Sequence, residues 1–74
     1  MSQLDRIEMK PGVMMGKPVV KGTRITVEFI LRMLGSGHPA EELVREYEIA
    51  HEDILAAQSF AAEYLAHDRF LAAE

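Results

Sequence analysis

Between Leu34 and Ala40 the chain reads Gly35-Ser36-Gly37-His38-Pro39, and this break governs what the rest can fold into. Glycine takes the left-handed conformation that ends a helix without steric cost, and proline suits the first turn of a new one. Apolar residues keep helical spacing on both sides: Val27, Ile30, Leu31 and Leu34 before it, Leu43, Val44 and Tyr47 after it. Thr26 can cap the first of these helices, while Glu41 and Glu42 favour the positive end of the second. A second short break, Glu48-Ile49-Ala50, precedes a third helix that starts near His51 or Glu52. The predicted helices cover residues 27–35, 39–47 and 52–68.

Residues 6–26 carry a different pattern. Arg6-Ile7-Glu8-Met9-Lys10 alternates as a strand does and stops at the turn pair Pro11-Gly12. Val19-Val20 is β-branched, Lys21-Gly22-Thr23 supplies a turn, and Arg24-Ile25-Thr26-Val27 resumes an extended pattern. Two such short strands cannot hold alone and must pack on the helices or pair with a second copy. The expected architecture is mostly α, a single domain over residues 1–74 with a short N-terminal β-hairpin ahead of three helices. A short helix, a tight turn and a longer helix also give the outline of a helix-turn-helix, whose second helix can enter a DNA major groove.

At 74 residues the core is thin. No cysteine is present, so neither disulfides nor thiolate metal sites can supply the missing stability, and His38, His51 and His67 are too scattered for a metal set. A homodimer is therefore expected. Met1-Ser2-Gln3-Leu4-Asp5-Arg6 is polar, unlike a secretion signal, and no run approaches the ~20 apolar residues of a bilayer helix, so the expected compartment is the cytoplasm.

The net charge of -4 conceals an asymmetry. Up to Leu34 six cations face three anions, and from Gly35 onward two cations face nine anions, for local balances of +3 and -7. A basic front and an acidic rear suggest two surfaces for two kinds of partner, beside the simpler reading of solvating charge.

Gly16-Lys17-Pro18-Val19-Val20-Lys21-Gly22-Thr23-Arg24-Ile25-Thr26-Val27 resembles the G-K-P-x-[IV]-x-G-T-R-[IV]-x-[VT] signature of the "domain of unknown function 433" family. Downstream, Gly37 with Glu41-Glu42-Leu43, and Tyr47, Asp53-Ile54 and Ala56-Ala57, extend the likeness from about Ile7 to Tyr64. The resemblance implies a homeodomain-like helix-turn-helix bundle behind the hairpin. It also implies an antitoxin-like role: neutralising a PIN-like ribonuclease toxin and, with operator DNA as a second partner, repressing its own operon. Two positions depart from the pattern. Glu48 stands where the family usually has proline, and Ala50 where it usually has a threonine cap, a change that costs roughly 1 kcal/mol unless His51 or Asp53 compensates.

Each candidate site residue has a structural and a functional reading. Lys17, Lys21 and Arg24 can contact phosphates. Alternatively Gly16, Pro18, Gly22 and Thr23 shape turns, and Arg24 pairs with a carboxylate. Ile54, Ala57, Ala61, Tyr64 and Leu65 should face the core, with Glu52, Ala56, Ser59, Glu63 and His67 opposite. Only His51 and Gln58 are candidate base readers on that last helix, where Glu52 and Asp53 would repel phosphate. Leu55, Ala62 and Ala66 form a small-residue shoulder, and Phe70 and Leu71 are candidate apolar anchors for a partner. Met9, Met14 and Met15 read as core or interface filler. No G-x-S-x-G, phosphate-binding glycine loop or catalytic cysteine occurs, so catalysis is not expected, nor a cofactor or small-molecule substrate. The rival readings are an interaction module that never touches DNA and a stand-alone transcriptional regulator.

Overall fold

A computed structural model describes residues 3–67. A 3-10 turn over Gln3–Arg6 leads into strand β1, Ile7–Glu8, which pairs antiparallel with β2, Val19–Val20, in the register Ile7 to Val20 and Glu8 to Val19. Helices α1 (Val27–Gly35), α2 (Ala40–Tyr47) and α3 (His51–Ala66) follow. The expected class, a short hairpin ahead of three helices, is the one observed. None of these helices is long and apolar enough to cross a membrane.

The sheet is shorter than its sequence pattern. The alternation expected over Arg6–Lys10 pairs only at Ile7–Glu8, because residues 9–18 leave the sheet to form a long connection. Within it Met14 and Met15 take left-handed backbone (φ 48 and 58), followed by Gly16 at φ 82. On the other flank the extended pattern of Arg24–Val27 yields a single bridge, Val19 to Thr26. There the Thr26 hydroxyl accepts from the Phe29 N–H (2.9 Å), so the helix starts at Val27 instead of the strand continuing.

Each helix end has a traceable cause. α1 closes as a Schellman motif: Gly37, at φ 100, donates its N–H to the Leu34 carbonyl, and His38 donates to that of Met33. α2 begins at Ala40, with Pro39 as its cap and not its first residue, one position later than expected. α3 starts at His51, and Ala50 has no side-chain acceptor to cap it. Asp53 compensates: its Oδ2 accepts from the Ala50 N–H (2.8 Å), while its own N–H donates to the Ala50 carbonyl (2.9 Å).

α2 and α3 are joined by residues 48–50, and Glu48 adopts φ 55, ψ 42. A proline is held near φ -65° and could not sit there, so this departure from the family pattern goes with the geometry of the turn. A left-handed residue with a side chain costs about 1–2 kcal/mol, and glycine recovers that at an entropic cost of about 0.5–1 kcal/mol. Glu48→Gly is accordingly expected to stabilise the domain by about 0.5–1 kcal/mol in urea denaturation. Destabilisation would mean that the Glu48 side chain contributes more than its backbone costs.

The core is built from Val20, Val27, Ile30, Leu43, Ile49, Ile54 and Ala57, all buried. Its rim includes Ile7, Leu31, Val44 and Phe60, and Phe29 meets Tyr47 edge-on at 5.1 Å between ring centroids. Ala56, expected on the solvent side of α3, is fully buried, whereas Tyr64 and Leu65, expected in the core, are 68% and 46% exposed. The buried arc of α3 runs through Asp53, Ile54, Ala56 and Ala57, rotated toward Ala56 because the hairpin and the Gln3–Arg6 turn pack on that side as well. Tyr64 keeps the angular direction of Phe60 and Ala57, but the last turns of α3 outrun the helices that cover the first ones.

Candidate interaction surfaces

The glycine-threonine turn of the signature is structural in detail. Gly22, at φ 79, donates its N–H to Glu8 Oε2 (3.0 Å). The Thr23 hydroxyl donates to the Val20 carbonyl (2.8 Å) and accepts from the Ile25 N–H (2.9 Å), closing the loop on itself. Pro18 contributes its carbonyl, which accepts from the Val27 N–H (2.9 Å). The turn fixes where the neighbouring cations emerge.

Those cations do not behave alike. Lys17 forms an ion pair with Glu28 (3.1 Å), which Arg32 also approaches (2.9 Å). Lys17, and after it Arg32, hold the Glu28 carboxyl below its ordinary pKa. Lys21 and Arg24 are exposed, and among the described residues neither has a carboxylate within ion-pair reach. The pairing read for Arg24 from sequence is therefore not made among these residues. Nor do the three cations share one hollow. Lys17 and Arg24 border a depression with Pro11, Gly12, Met14 and Met15, while Lys21 borders another with Asp5, Arg6, Thr23, Glu48, Ile49 and Asp53.

On α3, His51 and Gln58 are exposed and two turns apart, so they lie on one face with Leu55 between them and Ala62 beyond. Glu52 and Glu63 flank this face, and residues 51–67 contain no lysine or arginine. Asp53, read as a repulsive surface charge, is instead buried: Arg6 Nη1 donates to its Oδ1 at 3.1 Å. That contact joins positions 47 apart and ties the N-terminal turn to the start of α3. Phe70 and Leu71 lie outside the described residues.

A third surface went unread in the sequence. Met9, Pro18, Val27, Leu31, Phe60, Ala61 and Tyr64 line an apolar groove of about 550 Å³ between α1 and α3, with Glu28 and Arg32 at its border. Its cue was present in the i, i+4 pairs Val27/Leu31 and Phe60/Tyr64, which are equally compatible with a closed core.

No curated protein and no solved structure matches the sequence. The model of a family described as "Protein of unknown function (DUF433)" matches residues 7–61, well over half of the chain. The match takes in the signature turn, both strands and the helix-turn-helix outline as far as Ala61. On that coverage, the chain belongs to the DUF433 family.

Proposed function

We propose that the chain is a binding protein of the antitoxin type, which docks a basic protein partner on the outer face of α3 and holds it inactive. A PIN-like ribonuclease is the partner that the family resemblance suggests. The observation that carries this reading is the chemistry of α3. In the place of a recognition helix it offers Glu52, Glu63, Leu55 and Gln58, without a single lysine or arginine over residues 51–67. Such a face repels phosphate and suits a cationic protein surface with apolar contacts. The role is stoichiometric binding, not turnover.

A second reading keeps DNA as a partner. Lys21 and Arg24, without carboxylate partners among the described residues, could hold operator phosphates beside His51 and Gln58.

One set of titrations tests both. The purified chain is titrated into the product of the neighbouring gene, with RNA cleavage as readout, and separately into duplex from its own upstream region at two salt concentrations. The variant Glu52→Lys, at the end of α3 away from Tyr64, is expected to weaken inhibition at least tenfold while leaving the circular dichroism spectrum intact. Unchanged inhibition would remove α3 from the partner surface, and no inhibition by the wild-type chain would remove the antitoxin role. Duplex binding that falls steeply with salt and is lost in Lys21→Glu/Arg24→Glu would establish the second reading.

A further inference from the structure

The groove between α1 and α3 lies on the side of α3 opposite His51, Leu55 and Gln58, and of the residues named for the partner above only Glu63, on the flank between the two faces, reaches both surfaces. Tyr64 is 68% exposed and Met9 58%, although both line an apolar groove against the core residue Val27. The core beneath is small. Its largest fully buried side chains are Ile30, Leu43, Ile54 and Val19, and every phenylalanine and tyrosine among the described residues stays partly exposed. A chain of this size ordinarily gains apolar burial from a second subunit when it has no disulfide or metal.

We infer that the groove is the interface with a second copy of this chain, the exposed end of α3 from each copy lying in the groove of the other. Charge argues for this occupant. At the border, Lys17 and Arg32 share the single carboxylate Glu28, which leaves one positive charge in excess. The end of α3 carries Glu63 beside Tyr64, an anion next to an aromatic ring, and residues 51–67 hold no cation but the histidines to oppose it. Each copy thus has both halves of a complementary contact, as a two-fold interface requires. Tyr64 forms part of the groove wall and cannot also fill that groove, so in the dimer the ring that enters is the Tyr64 of the second copy. Ala61, with its single methyl group, lets the two α3 helices approach closely along the shared wall.

Sedimentation equilibrium of the full chain from micromolar to millimolar concentration tests the inference. A reversible dimer is expected. Tyr64→Glu and Met9→Glu, both at exposed positions where folding should survive, should each raise the dissociation constant at least tenfold with an unchanged circular dichroism spectrum. A dimer indifferent to both substitutions would place the interface elsewhere and overturn the assignment. A monomer at every concentration overturns it too, and Tyr64→Trp then names the alternative. Ready acrylamide quenching of that indole would mean an open groove; strong protection would mean that the chain covers its own groove.

Discussion

Asp53→Ala is expected to destabilise the domain by about 2–3 kcal/mol, the larger part of it from two hydrogen bonds to one carboxylate. Oδ1 accepts from Arg6 at 3.1 Å and Oδ2 from the Ala50 N–H at 2.8 Å. The side chain of Asp53 is only 10% exposed, so water cannot replace either contact in place. The Arg6 side chain is 44% exposed and regains solvent once its partner is gone, which keeps the loss below the 3–5 kcal/mol typical of a fully buried pair. Losing the bond from the Ala50 N–H, which caps the start of α3, adds about 1 kcal/mol. Asp53→Asn, which keeps an acceptor oxygen for the cap, should lose about half as much as alanine. Arg6→Ala should cost about 1 kcal/mol, because Asp53 retains the cap. Urea denaturation of the three variants decides the matter. Equal losses for Asp53→Ala and Asp53→Asn would show that charge outweighs capping.

Ile30→Ala should cost about 3 kcal/mol, within the 2–5 kcal/mol range for truncating a buried Ile or Leu. Ile30 is fully buried in the centre of the α1 face, among the residues that join α1 to α2 and α3. Three removed carbons leave a hole that a rigid three-helix arrangement closes only in part. The stability of a domain of this length is about 4–11 kcal/mol, so a substantial unfolded fraction at physiological temperature is a realistic outcome. Ile30→Val should lose only about 1 kcal/mol. If alanine and valine cost the same, the side chains around Ile30 must collapse into the space.

Local chemistry made the helices readable. Thr26, Gly37 and Pro39 each act within a few residues of their own positions, and α1 occupies the span that its spacing predicts. The burial of Asp53 was not readable in the same way. Its partner Arg6 is 47 positions away, and no periodicity in either segment records that they meet. The left-handed backbone of Met14 and Met15 was hidden for a different reason, since methionine gives no cue for positive φ. On α3, apolar spacing located a stripe but not its orientation. Alanine is small enough to fit either face, so the burial of Ala56 emerges only when the hairpin packs against the helix. Of the candidate site residues, Gly22 and Thr23 were legible as a turn because their hydrogen bonds are local. The unequal pairing of Lys17, Lys21 and Arg24 depends on where Glu28 falls once α1 docks.

The small sheet leaves little for a foreign strand to pair with. Val19 pairs with Glu8 on one side and Thr26 on the other, so β2 offers no open flank to a neighbouring molecule. Among the described residues, the only outer edge with strand character belongs to β1, which is two residues long and ends in a glutamate. Edge-to-edge polymerisation needs a longer run of unpaired amides and carbonyls than that. The paired valines, the most β-prone segment of the hairpin, are thus already enclosed by the chain's own backbone.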